Sequence, residues 1–269
     1  MHRSNPWVQI FKPQENAIAR LICFPFAGGG AQSFSKWPDH LPDGIELLAV
    51  QLPGRETRMR ETPLSDVDSL LDAMLPEVQG YLDRPFILYG HSMGALIAYE
   101  FARRLQGMSL APECLMVSAR VAPHRRPPRE PINKLPQAEF VEALRHLHGT
   151  PEEVLEDSDL MALISPMLRA DFAINEEYVH AAEPRLDCNI LAFGGLRDSE
   201  AGRQGMDDWR EVTDGDFGLR MVPGDHFFIQ TAQTLFLRML SIEIYQQTRV
   251  AWSNPHYRAN ARLACTSSR

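Results

Sequence analysis

The feature that most constrains the fold is an alternation of short apolar runs with segments of helical periodicity. Six runs have the length of a β-strand and are rich in Val, Ile and Leu, at 19–26, 45–53, 85–90, 114–120, 189–195 and 219–224. Near-continuous apolar strands are typical of sheets that helices cover on both faces. Helical patterns separate several of these runs, at 65–82, 93–106 and 231–247. The order predicts an α/β fold with a mostly parallel central sheet.

Length and composition limit the class of protein. The chain has 269 residues, 44% of them hydrophobic, and a net charge of -8, so we expect a single globular domain over residues 1–269. The charge shows no basic excess that would indicate nucleic-acid binding. The N-terminus lacks the apolar segment of a signal peptide, and no stretch approaches about 18 uninterrupted apolar residues. We therefore expect a cytoplasmic protein without a membrane anchor.

The four cysteines, Cys23, Cys114, Cys188 and Cys265, lie far apart and show no CxxC or metal-ligand spacing. We therefore predict no metal site. The first three lie in or beside apolar runs, which favours buried free thiols over disulfides.

The alternation of strands and helices is interrupted between 121 and 185. A connector rich in proline and arginine, 121–131, precedes two segments of helical period, 135–149 and 158–182. Because this insert follows a strand, we expect it to lie over one end of the sheet and to act as a lid. A helical subdomain with no gating role is the alternative. The segment 248–269 has no period and is predicted to be a loose tail.

The pentad Gly-His-Ser-Met-Gly at 90–94 lies between a predicted strand and a predicted helix. G-x-S-x-G in this context is typical of a nucleophile elbow, in which a strained turn exposes the serine at the carboxyl edge of the sheet. Gly90 and Gly94 are needed because a Cβ at either position would collide with the neighbouring strand or helix. Ser92 is thus the predicted nucleophile, and an ordinary turn is the alternative. We expect His91 to pack rather than to act in catalysis.

A serine nucleophile needs a histidine base and a carboxylate that orients it, in the chain order Ser, acid, His for this class of fold. Among the nine histidines, only His226 follows the last strand and precedes the last helix. For the acid we favour Asp198, three residues beyond the strand end at Gly195. The remaining candidates have less favourable positions: Asp187, Asp207, Asp208 and Asp225.

Two backbone N–H groups are expected to form an oxyanion hole. Met93, directly after the serine, would supply one of them. The glycine-rich exit of the first run, 23–34, would supply the other through Ala27, with Phe26 as the less favoured donor. We assign Phe26 and Gly28 to substrate binding. A phosphate-binding loop is the competing interpretation, but the segment has neither GxxxxGK[ST] nor GxGxxG.

From about 17 to 245 the chain resembles the type II thioesterases that accompany polyketide synthases, nonribosomal peptide synthetases and some fatty acid synthases. Six stretches carry the resemblance in the family's order: CFPFAGGGAQSF (23–34), LPGRETR (52–58), GHSMGALIAYE (90–100), ISPMLRADF (164–172), GGLRDSE (194–200) and PGDHFF (223–228). Many family members have His or another aromatic residue at the position of Phe26. The resemblance implies an α/β-hydrolase fold with a helical lid, and the triad Ser92, Asp198 and His226.

The resemblance also implies hydrolysis of acyl groups from the phosphopantetheine thiol of carrier proteins, with no cofactor of the enzyme's own. Acyl or peptidyl carrier proteins are the expected partners. Arg120, Arg125, Arg126 and Arg129 are expected to form a basic patch that steers such an acidic partner, and a solvated connector is the alternative. The alternatives for function are an esterase or acyltransferase for small or lipid-like acyl groups, and a noncatalytic binding module.

Overall fold

A computed structural model describes residues 5–126 and 128–253. Its strands, in chain order, are β1 Val8–Gln9, β2 Ala19–Phe24, β3 Ile45–Val50, β4 Phe86–His91, β5 Cys114–Ser118, β6 Asn189–Gly195 and β7 Phe217–Val222. Its α-helices are α1 Val67–Val78, α2 Met93–Gly107, α3 Gln137–Leu147, α4 Glu152–Glu156, α5 Ser158–Glu176, α6 Arg203–Asp207, α7 Phe228–Thr231 and α8 Gln233–Ser253.

The strands form one sheet in the order β1-β3-β2-β4-β5-β6-β7. Strands β2 to β7 are parallel to their neighbours, and β1 alone is antiparallel, to β3. The predicted mostly parallel sheet is therefore confirmed. Strand β1 was not predicted, because two residues are too few to show a period. Parallel strands place the residues that follow β4, β6 and β7 at one edge of the sheet, where a site can be assembled.

Helices cover both faces of the sheet, as the apolar strands predicted. One apolar cluster packs Leu70 and Met74 of α1 and Phe101 of α2 against one face. A second cluster packs Trp37 and Phe236, the latter from α8, against the opposite face. Cys23, Cys114 and Cys188 are free and buried, as expected, whereas Cys265 lies outside the described residues.

The chain between β5 and β6 contains α3, α4 and α5, so the interruption in the alternation is helical. These helices have a small core of their own, which includes Phe140, Leu144 and Phe172. The Asp157 carboxylate accepts hydrogen bonds from the Asp159 and Leu160 N–H groups and thus caps the start of α5. The insert is therefore a packed unit joined to the sheet edge.

Helix α8 continues to Ser253, so the prediction of a loose tail from 248 is wrong for its first six residues. Thr248 is buried, and its hydroxyl donates to the Ile244 carbonyl, which gives this helical turn packing that the periodicity did not show. The rest of that predicted tail, 254–269, lies outside the described residues. Within the part of the chain that the structure describes, no helix is long and apolar enough to cross a membrane.

Candidate active site

Ser92 lies in a strained turn between β4 and α2. Its φ of 52° and ψ of −118° are unfavourable for a residue with a side chain. A Cβ on Gly90 would come within 2.0 Å of the Gly94 carbonyl oxygen, and one on Gly94 within 2.1 Å of the Phe24 carbonyl oxygen. Both glycines are therefore required by close backbone approach, as the pentad predicted.

The Ser92 side chain meets two residues from distant loops. His226, after β7, places its Nε2 atom 3.1 Å from Ser92 Oγ. Asp198, after β6, has both carboxylate oxygens 3.1 Å from His226 Nδ1. The structure thus brings together the three side chains that the sequence singled out for a triad.

Backbone contacts hold the Asp198 carboxylate in place. Its Oδ1 atom accepts hydrogen bonds from the Glu200 and Ala201 N–H groups at 2.9 and 3.0 Å. Burial alone would raise the pKa of Asp198, but the hydrogen bond and charge interaction with His226, aided by these N–H groups, lower it from its ordinary value. The carboxylate is therefore ionised at neutral pH.

The other carboxylates considered for this position have partners elsewhere. Asp207 pairs with Arg210, and Asp208 accepts from Gln204 and pairs with Arg125. Asp225 accepts from the Phe227 N–H. Asp187 precedes β6 and so lies at the opposite end of that strand.

His91 is fully buried next to the site. Its Nδ1 atom lies 2.8 Å from Ser118 Oγ, and its ring packs edge-on against Phe26 and Phe228. Burial, followed by the proximity of His226, lowers the pKa of His91 well below its ordinary value. These contacts fit the packing role expected for His91.

The segment after β2 forms a tight turn beside Ser92. Gly28 has a φ of 79°, which favours glycine, and its N–H donates to Asp171 at 2.7 Å. The Ala27 N–H donates to no acceptor among the described residues. The Met93 N–H is the first of α2, where an α-helix leaves its N–H groups without intrahelical acceptors. Both proposed oxyanion donors are thus available to a ligand.

A cavity of about 370 Å³ opens onto Ser92 and His226. Phe26, Ala27 and Gly28 form part of its wall, where the sequence placed substrate binding. The insert contributes a largely apolar part of the lining: Leu144, Leu147, Val154, Ile164, Met167, Leu168 and Phe172. The space suits an apolar acyl chain. Among residues 5–126 and 128–253 no group of three His, Cys, Asp or Glu side chains could hold a metal ion.

Arg55 and Asp171, which the sequence did not single out as functional residues, form a buried ion pair. The Arg55 guanidinium donates to both Asp171 carboxylate oxygens at 2.7 Å, and also to the Gly29 carbonyl at 3.0 Å. Both residues belong to stretches that carried the family resemblance. No local signal distinguishes them, because each stretch contains other charged residues, such as Glu56 and Arg169.

The predicted basic patch does not form. Arg120 is buried, Arg125 pairs with Asp208 and Glu211, and Arg129 pairs with Glu176 and Glu200. Arg126 is exposed. Tertiary neighbours, which the sequence could not show, neutralise or bury three of these four charges.

The parallel sheet with flanking helices, together with a serine on a strained strand-to-helix turn, defines an α/β-hydrolase. The sequence model of the thioesterase domain family matches residues 19–242, and the chain belongs to this family. This membership confirms the resemblance seen in the six stretches.

Three named proteins are similar to the chain over most of its length. It is 40% identical over 226 residues to the gramicidin S biosynthesis protein GrsT of Aneurinibacillus migulanus, covering 84% of this chain and 88% of that one. The type II thioesterase BorB from the borrelidin biosynthetic cluster superimposes with a TM-score of 0.81 at 35% identity, over 90% and 98% of the two chains. RedJ, a thioesterase of the prodiginine pathway in Streptomyces coelicolor, gives 0.79 at 35% identity, over 84% and 91%.

Proposed function

We propose that this chain is a serine thioesterase that hydrolyses acyl groups from the phosphopantetheine thiol of carrier proteins and so removes aberrant or stalled chains. The observation that carries the proposal is the hydrogen-bonded series Ser92, His226 and Asp198 at the wall of an acyl-sized cavity. Family membership supports the thioester as the bond that is cleaved. The relatives' roles in gramicidin S and borrelidin biosynthesis support a carrier-bound substrate.

The geometry supports a two-step mechanism. Ser92 Oγ attacks the thioester carbonyl carbon while His226 Nε2 takes the hydroxyl proton, and Asp198 holds the imidazole through Nδ1. The carbonyl oxygen becomes an oxyanion that accepts from the Ala27 and Met93 N–H groups. Collapse breaks the carbon–sulfur bond, and His226 returns the proton to the departing thiolate.

Water then deacylates the enzyme by the same route. His226 takes a proton from the water as the water attacks the acyl-serine carbonyl, and it returns that proton to Ser92 Oγ as the free acid leaves. A thiolate is a good leaving group, so the barrier depends mainly on activation of the serine and on the oxyanion donors. One such donor typically stabilises the transition state by about 3 kcal/mol. We also propose that the enzyme acts in the cytoplasm, which the three free cysteines support.

A panel of acyl-loaded carrier proteins tests the proposed function. We expect multiple turnovers that release free acid, and higher kcat/KM for acyl-S-pantetheine than for the matching oxygen ester. The reverse preference would identify an esterase. A fluorophosphonate probe addresses the noncatalytic alternative, because it should label the wild type and not Ser92→Ala; an unlabelled wild type would contradict a serine mechanism.

A further inference from the structure

Arg120 lies in the wall of the substrate cavity, two residues beyond the end of β5. Only 7% of the residue is exposed. Its carbonyl accepts a hydrogen bond from the buried Trp209 indole at 2.7 Å, and the preceding residue, Ala119, has a φ of 51°. The backbone that carries the guanidinium is thus fixed, and its side chain is part of the chamber in which Ser92 lies.

The Arg120 guanidinium has one protein partner in the described part of the chain, the Asn175 side-chain oxygen at 2.5 Å. Its Nε–H is buried and meets no acceptor among the described residues. Burial lowers the pKa of Arg120 to about 10, against an opposing effect of Tyr178 and with a smaller lowering by Arg129, so Arg120 still carries its charge at neutral pH.

Two carboxylates pair with the neighbouring Arg129 rather than with Arg120. Glu176 binds Arg129 through one oxygen and accepts from the Ile132 and Asn133 N–H groups through the other. Glu200 also pairs with Arg129. The structure therefore neutralises Arg129 and leaves Arg120 without a counter-ion among residues 5–126 and 128–253.

A buried charge is costly unless it is paired, and a guanidinium presents a planar set of donors that matches a carboxylate or a phosphate. We propose that Arg120, oriented by Asn175, is an anion-binding subsite of the cavity that receives an anionic oxygen group of the thioester substrate. This inference rests on the proposed function, because it assumes a thioester bound at Ser92. The anion has two possible sources, a carboxylate on the acyl chain or the phosphate of the pantetheine arm.

Matched substrates distinguish the two sources. Acyl pairs that differ only in a terminal methyl or carboxylate, propionyl with malonyl, butyryl with succinyl and valeryl with glutaryl, are prepared on pantetheine and on 4′-phosphopantetheine, two thiols that differ only in the phosphate. A carboxylate source gives higher kcat/KM for one or more dicarboxylic members on both thiols. A phosphate source gives higher kcat/KM for every acyl group on 4′-phosphopantetheine. We expect a preference of about tenfold or more in one of the two comparisons, as for a charged hydrogen bond.

Two variants assign the preference to Arg120. Arg120→Met removes the charge and keeps a side chain of similar length. Asn175→Asp replaces the amide that contacts Arg120 by a carboxylate, which neutralises the guanidinium without loss of volume. Both should reduce the preference by about tenfold. Arg126→Met, which removes an exposed arginine from the same connector, should retain it.

The outcomes separate this subsite from the proposed function. Thioester hydrolysis by the wild type with no anion preference on either thiol would overturn the subsite alone. Equal losses on all substrates in Asn175→Asp would also overturn it, because they would show a structural role for the Arg120–Asn175 contact. A wild type that cleaves none of the thioesters would overturn the proposed function, and the subsite with it.

Discussion

Arg55 and Asp171 form a buried, bidentate ion pair that joins the segment after β3 to helix α5 of the insert. The same two side chains also bind the turn that carries Ala27. Asp171 accepts from the Gly28 N–H, and Arg55 donates to the Gly29 carbonyl. The pair therefore fixes the backbone directly after Ala27, a proposed oxyanion donor, and connects that backbone to the insert.

Breaking the Arg55–Asp171 pair should affect both stability and catalysis. We expect Asp171→Asn to lower the free energy of unfolding by about 3 kcal/mol, because it leaves a buried guanidinium without its counter-ion. The double variant Arg55→Met with Asp171→Leu should regain part of that stability but not kcat, since Gly28 and Gly29 would still lack their partners. Urea unfolding and steady-state kinetics measure the two effects.

Asp214→Asn, which breaks an exposed ion pair with Arg185, provides the control for the buried pair. It should leave both stability and kcat close to wild type. If kcat of the double variant returned to the wild-type value along with stability, the pair would have no positioning role.

The triad variants should separate chemistry from folding. We expect Ser92→Ala to abolish turnover and to leave the circular dichroism spectrum unchanged, because alanine meets the same backbone requirement as serine at this turn. Asp198→Asn should lower kcat by up to about 10⁴, the cost of losing the carboxylate that orients the imidazole in serine proteases. Asp207→Asn, which affects only a pair with Arg210, serves as the control. Wild-type turnover in Ser92→Ala would rule out the serine mechanism.

The depressed pKa of Asp198 predicts how stability depends on pH. A carboxyl group with a lower pKa in the folded than in the unfolded protein stabilises the fold above its unfolded pKa, and this contribution disappears as pH falls through the folded value. The wild type should therefore exceed Asp198→Asn in free energy of unfolding by more at about pH 6 than at about pH 3. Denaturant titrations at the two pH values test this, and a pH-independent difference would contradict it.

The glycines of the turn at Ser92 should tolerate no side chain. Gly90→Ala places a methyl group 2.0 Å from a carbonyl oxygen of α2, and we expect a loss of about 3 kcal/mol or more, or failure to fold. Gly107→Ala is the matched control, because its added Cβ meets no atom within 4 Å apart from its chain neighbours and the nearby backbone of its own helix. Thermal unfolding of the two variants gives the comparison, and similar melting temperatures would show that the turn can relax.

We expect the insert to act as a lid of unequal mobility. Helix α5 is joined to the rest of the fold by Asp171 and Asn175, through Arg55 and Arg120. Amide hydrogens of α3 and α4 should therefore exchange faster than those of α5, and faster than those of β4. Hydrogen exchange read by mass spectrometry measures this order. Equal protection of α3, α4 and β4 would argue against a lid that gates the cavity.

The sequence by itself determined the features that depend on local geometry. Apolar runs and helical periods are properties of short segments, so they predicted the parallel sheet and its helical covering. The strained turn at Ser92 was also predictable, because its cause is the close backbone approach at Gly90 and Gly94, two residues on either side. The end of α8 was misjudged because residues 248–253 show no apolar period, although the helix continues through them to Ser253.

Only the tertiary structure decided which distant groups meet. The Arg55–Asp171 pair spans 116 residues, and the hydrogen bond from Arg120 to Asn175 spans 55. Loop paths bring these atoms within hydrogen-bonding distance, and no local pattern specifies such paths. The charge of Arg120 illustrates the same limit. The sequence suggested an exposed patch, whereas the fold buries this residue in the cavity wall, where it contacts Trp209 and Asn175. Whether a charged side chain faces solvent, a counter-ion or a ligand depends on neighbours that only folding assembles.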